Sequence, residues 1–251
     1  MLRETRRLEG CLVRAEDGPA GRVAEVLFDD EAWAVRYLVG DTGGRLPGER
    51  ILMLPGFAEG VNEAMPASIE VGLSREQVWE SPPVAADRPV SARQEADYYA
   101  YLASAPYLGV SVPVFPLYLD PEVDEEESGD PHLRSVRELR GHAVLSGEGR
   151  PIGHVEDLVY DDRDWAIRYL IVDTRDWLPG KRVPVSADWV LGVGWDGAQV
   201  EVDLTAEEAR AAPAWRPGTV IDRRYETELH AHYGRTPYWV RRQDYSNRRE
   251  G

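Results

Sequence analysis

The sequence predicts a mainly β protein with short helices, built as two copies of a small antiparallel β-barrel. Three observations lead there. Residues 29–50 (DDEAWAVRYLVGDTGGRLPGER) recur as residues 161–182 (DDRDWAIRYLIVDTRDWLPGKR), at a constant offset of 132 with 13 of 22 positions identical. Within each copy the apolar residues alternate with a period of two, the pattern of a strand with one buried face. Many short strands then follow one another in each copy, and closing them leaves fewer open edges than a flat sheet would. Duplication also moves the question of function from a single cleft to a surface presented twice.

The repeat extends past its core. Leu8 and Gly10 match Leu139 and Gly141, Gly21 matches Gly153, Leu73-Ser74-x-Glu76 matches Leu204-Thr205-x-Glu207, and Pro106-Tyr107 matches Pro237-Tyr238. Each copy is therefore about 100 residues, enough for a domain with its own core. The expected division is a first repeat with its helices at 1–108, a linker at 109–134, a second repeat at 135–240 and a basic tail at 241–251. Seven of the eleven residues from 120 to 130 are acidic, which reads as a self-repelling, extended linker. Ahead of that run, residues 110–119 are apolar with Pro113 and Pro116 and read as an extended arm.

The elements follow in order. Residues 21–28 and 153–160 alternate and should pair as a hairpin with the strands carrying Trp33, Val35, Tyr37 and Val39, or Trp165, Ile167, Tyr169 and Ile171. Leu-Pro-Gly at 46–48 and 178–180 suits a type II turn, because proline presets one φ and glycine supplies the positive one. Further strands are expected at 51–54 and 182–185, and again at 68–72 and 199–203. Ser74-x-x-Gln77 and Thr205-x-x-Glu208 are capping boxes that open short helices, stopped by Pro82-Pro83 and Pro213. Second helices are expected at 91–102 and 222–233, the latter ended by Gly234.

Composition narrows the classes. At 251 residues, 43% hydrophobic and 29% charged, the chain reads as an ordinary soluble globular protein. A net charge of −16 argues against nucleic acid as a partner. Arg241, Arg242, Arg248 and Arg249 make the tail locally basic, with Asp244 and Glu250 interspersed, as in a solvated tail. Cys11 is the single cysteine, so no intramolecular disulfide can form; in its apolar context it reads as a buried thiol. No run approaches 18 apolar residues and the N-terminus lacks an apolar signal core, so no membrane insertion and a cytoplasmic location are expected.

The Asp-Asp-x-x-Trp-x-(Val/Ile)-Arg-Tyr-Leu run, Asp-Thr at 41–42 and 173–174, the Leu-Pro-Gly turn and the Leu-(Ser/Thr)-x-Glu helix start together resemble the PRC-barrel family. That family is named for the cytoplasmic domain of the photosynthetic reaction-centre H subunit and includes the C-terminal domain of a ribosome maturation factor. The resemblance covers nearly all of both repeats. It implies a six-stranded antiparallel barrel in each, hence a stand-alone bacterial tandem, and for function only a general role in protein–protein contact.

No catalytic residue, cofactor or metal is expected. The paired acids Asp29-Asp30 and Asp161-Asp162 are candidates for a divalent-cation site, though aspartate at a hairpin corner commonly serves its own backbone. Arg36 and Arg168 suit a carboxylate or phosphate clamp, but pairing with Asp41 and Asp173 is the simpler expectation. His230-x-His232 diverges on a helix by about 200°, and His142 and His154 belong to the second copy alone. Candidate interaction residues are Trp177, which replaces Arg45 of the first copy, and the Pro-linked aromatics Tyr238 and Trp239. The preferred expectation is a non-catalytic interaction or scaffolding module with a protein partner, as a homodimer or with its repeats paired about a pseudo-two-fold axis. The alternatives are a small-molecule or divalent-cation binder using the acidic corners, and an accessory role in ribosome assembly or beside a photosynthetic complex.

Overall fold

A computed structural model describes residues 1–43, 49–62, 66–85, 90–104, 130–174 and 181–240. The chain divides into two compact units: Thr5–Glu138, the N-terminal unit, and Met1–Glu4 with Leu139–Gly251, the C-terminal unit.

In chain order the strands are β1 (Leu2–Glu4), β2 (Leu12–Ala15), β3 (Gly18–Asp29), β4 (Ala34–Asp41), β5 (Glu49–Met53), β6 (Ala58–Asn62), β7 (Ser68–Val71), β8 (Pro83–Ala85), β9 (Leu133–Ser135), β10 (Ala143–Ser146), β11 (Pro151–Asp161), β12 (Ile167–Asp173), β13 (Arg182–Ser186), β14 (Val190–Gly194) and β15 (Gln199–Val202). The helices are α1 (Arg75–Trp79), α2 (Ala92–Ser104), α3 (Val136–Leu139), α4 (Ala206–Ala211) and α5 (Arg223–His232).

Each unit carries the same sheet. Its order is β6-β7-β2-β3-β4-β5-β8 in the N-terminal unit and β14-β15-β10-β11-β12-β13 in the C-terminal unit. The hairpins β3·β4 and β11·β12 form as the alternation predicts, with bulges at equivalent places, between Val23 and Glu25 and between Val155 and Asp157. At each of those bulged strands lies a glycine that nothing larger can replace. A Cβ on Gly21 would meet the Asp41 carbonyl oxygen at 2.3 Å, and one on Gly153 the Asp173 oxygen at 2.2 Å.

Two expectations are corrected. The sheets are not wholly antiparallel: β2 pairs with β7, and β10 with β15, in parallel. The chain passes from β5 to β6 through the 3-10 turn Pro55–Phe57 without reversing, so β7 arrives beside β2 in the same sense. Nor does a closed six-stranded barrel form among the described residues. The outer edge of β5 takes β8, and Arg182 of β13 is bridged to Trp215.

Three helices, α1, α4 and α5, begin as their caps dictate. Ser74 and Gln77, and Thr205 and Glu208, make full capping boxes, and the Asp222 carboxylate accepts from the Tyr225 amide. Ala212, ahead of Pro213, is extended and ends α4. The strands β1, β2, β6, β8, β9, β10 and β14 were not anticipated; β6 and β14 are largely exposed and glycine-containing, so little alternation marks them.

Met1–Glu4 falls in the C-terminal unit and the segment ahead of residue 139 in the N-terminal one, because β1 pairs with β11 and β9 pairs with β3. Most of the acidic run, the apolar arm, both Leu-Pro-Gly turns, Pro106-Tyr107 and the basic tail lie outside the described residues.

Candidate functional site

The hairpin corners are the most distinctive local feature of both units. At the first corner the Asp29 carboxylate accepts from the Glu31 and Ala32 amides at 3.0 and 2.7 Å. At the second, the Asp161 carboxylate accepts from the Arg163 amide at 3.3 Å and pairs with its guanidinium at 2.7 Å. Trp33 and Trp165 then take positive φ angles of 49° and 57°, an unusual conformation for a bulky residue. They are therefore corner residues rather than the first residues of the strands, as the alternation had suggested. Ring contacts support them: Trp165 stacks on Tyr160 at 5.0 Å and Trp33 lies 5.7 Å from Phe28.

The second aspartate of each corner faces an added strand. Asp30 meets His132 Nδ1 at 2.9 Å and Arg134 Nε at 3.7 Å; Asp162 meets Arg3 Nε at 2.8 Å and the amino group of Met1. All four corner carboxylates thus hold cationic partners from the chain, since Asp29 also meets Arg36 at 3.4 Å. Among the described residues no group of three His, Cys, Asp or Glu is arranged to hold a metal ion.

Behind the corners each unit buries a charged network. Arg36, 1% exposed, pairs with Glu95 at 2.7 Å and with Asp130, and Tyr37 donates to Glu95 at 2.7 Å. Burial raises the Glu95 pKa, with the Arg36 charge and the Tyr37 hydroxyl opposing it. In the C-terminal unit Tyr169 and Tyr238 donate to Glu226 at 2.9 and 3.0 Å, and Arg223 pairs with it at 3.1 Å. Burial raises the Glu226 pKa and pushes the Tyr238 hydroxyl up to about 12. Arg168 pairs with Asp164 and lies 4.4 Å above the Tyr238 ring. The two arginines do find acids, but Asp29, Glu95, Asp130 and Asp164 rather than Asp41 and Asp173. Asp41 uses its carboxylate on the Gly43 amide at 2.9 Å.

The remaining candidates are placed as follows. Tyr238 is buried and engaged with Glu226, so it packs inward instead of presenting an anchor. Trp239 is half-buried, with Arg223 3.9 Å over its ring and His230 at 5.4 Å. His230 is buried beside Tyr169 at 3.1 Å, while His232 meets the Glu208 carbonyl at 3.0 Å, so the pair does diverge. Trp177 lies outside the described residues. Cys11 is buried with Sγ 2.8 Å from the Arg7 carbonyl oxygen. His142 packs on Trp195 and His154 is exposed.

Sequence reasoning missed Glu95 and Glu226, which are equivalent at an offset of 131 and could have been found from it. It also missed Arg3 and Arg134, equivalent at the same offset within Leu2-Arg3 and Leu133-Arg134.

Residues 131–208 match the family model of the PRC-barrel domain. The match begins just ahead of β9 and runs through β15 into α4. No curated protein matches the chain. No helix among the described residues is long and apolar enough to cross a membrane.

Proposed function

We propose that the chain is a non-catalytic protein-interaction module made of two PRC-type units in tandem. Support for the tandem comes from the shared strand order, the shared parallel pairing and the equivalent bulges of β2–β7 and β10–β15.

One observation carries the interaction reading. In each unit a short strand distant in sequence from its partner extends the sheet, β9 on β3 and β1 on β11, docked by edge addition beside an acidic corner. Adding a strand to an open edge is a general mode of protein recognition, with main-chain hydrogen bonds supplying affinity and side chains supplying selectivity. The buried ionisable groups favour the same reading: Arg36, Tyr37 and Glu95, and Tyr169, Tyr238 and Glu226, spend their polar atoms on one another.

Crosslinking of the full chain in cells, followed by identification of the attached proteins, tests this function. Recurrent crosslinked partners support it, and recovery of the chain without any crosslinked protein overturns it. Trp177→Ala in the same experiment reports on that residue: unchanged capture dismisses it as an anchor.

A further inference from the structure

Two segments of this chain dock in the same way on two equivalent edges. Leu133 and Arg134 pair with Asp29 and Phe28 of β3; Leu2 and Arg3 pair with Asp161 and Tyr160 of β11. In both, the corner amide donates to the carbonyl one residue before the leucine, Asp30 to His132 at 3.0 Å and Asp162 to Met1 at 3.0 Å. In both, the arginine lies beside the second corner carboxylate, at 3.7 Å for Arg134 and Asp30 and at 2.8 Å for Arg3 and Asp162. The flanking residues differ, His132 against Met1 and Ser135 against Glu4, so the common determinants are the leucine, the arginine and the edge itself.

The edge is open to such a segment for a geometric reason. On that side of β3, β2 covers only Gly18 to Arg22, leaving Leu27 to Asp29 for another strand. The same holds for β11, where β10 reaches from Pro151 to His154 and β1 covers Val159 to Asp161. The added strands are three residues long and half-buried along their whole length, which puts them at the low end of local stability.

We propose that the outer edge of β3 and of β11 at the Asp-Asp corner is a β-addition site for an extended partner segment carrying leucine followed by arginine, with Leu2-Arg3 and Leu133-Arg134 as its built-in occupants. This rests on the interaction reading above and names the chemistry of its partner. Asp30 and Asp162 select the cation, and the main-chain groups of the edge supply the sequence-independent part of the affinity.

The test uses the full chain and a fluorescent peptide copying residues 1–8. Arg3→Glu weakens the built-in occupant of the β11 edge, and Leu2→Gly weakens it without changing charge. The peptide is expected to bind either variant saturably and at least about ten-fold tighter than it binds the wild type. Asp162→Asn added to either variant should reverse that gain, and a peptide with glutamate in place of Arg3 alone should not bind. Absence of saturable binding to both folded variants, or binding undiminished by Asp162→Asn, overturns the site. Cellular partners that crosslink unchanged to chains carrying Asp30→Asn and Asp162→Asn also overturn it, while leaving the interaction reading intact. Peptide binding without any crosslinked partner supports the site and overturns the cellular reading.

Discussion

Arg36 and Asp130 stand 94 positions apart and form an ion pair in which each side chain is 1% exposed. Its repeat equivalent, Arg168, instead takes Asp164 from the turn just ahead of its own strand and lies over Tyr238. The same repeated arginine is thus neutralised locally in one unit and by a distant segment in the other. Burial dictates that each guanidinium be paired and leaves open which residue does it.

Removing the two arginines should therefore have unequal effects. Arg36→Met strands Asp29, Glu95 and Asp130 without their shared cation and should cost about 3–5 kcal/mol. Arg168→Met breaks a contact to a partly exposed acid and a cation–π contact, and should cost about 1–2 kcal/mol. Urea denaturation of both variants against the wild type measures the difference, and equal losses would refute the assignment.

Gly21→Ala and Gly153→Ala should each destabilise their unit by at least about 1–3 kcal/mol, the cost of forcing an atom into a packed site. The obstruction at both is a backbone carbonyl, from Asp41 or Asp173, so the two strands must part to admit the methyl group. Hydrogen exchange along β4 and β12 would locate the loss. Gly60→Ala, where a Cβ meets nothing within 4 Å, serves as the control.

Two groups make stability depend on pH in opposite directions. Burial opposes ionisation of Asp161, but the Arg163 side chain and amide outweigh it and hold the carboxyl at about 2, below the ordinary 3.8. Its contribution is complete above 3.8 and lost as pH falls through about 2. The Asp30 hydrogen bond raises the His132 pKa above 6.5, with burial opposing and Glu31 and Asp130 adding to the rise. That contribution is complete below 6.5 and lost as pH rises through the folded value. NMR titration of His132 in the wild type and in Asp30→Asn should show the value falling in the variant. Asp161→Asn should flatten the stability profile between pH 4 and pH 2, a window of about two pH units.

Calcium or magnesium at millimolar concentration should leave the melting temperature unchanged, because a ligand of the folded state must raise it. The corner carboxylates already face Arg36, His132, Arg134, Arg3 and Arg163. A rise that disappears in Asp30→Asn or Asp162→Asn would restore the corners as ion sites.

Much of the architecture was legible because its determinants are local. The hairpins follow from alternation over eight residues, and the helix starts follow from Ser74, Thr205 and Asp222 three residues before their partners. The glutamates that receive Tyr37 and Tyr169 were legible too, had the offset of 131 been followed into α2 and α5. Asp130 was not. It lies at the end of an acidic run that reads as solvated.

By itself the sequence determined that this chain holds two related β units with capped helices, since repetition, periodicity and capping are set by residues a few positions apart. Only the tertiary structure decided that β7 lies parallel to β2, that β1 and β9 complete edges far from them in sequence, and that Asp130 neutralises Arg36. Those choices depend on which open edges and buried charges meet once the sheets have formed, and burial makes them necessary without any local pattern to announce them.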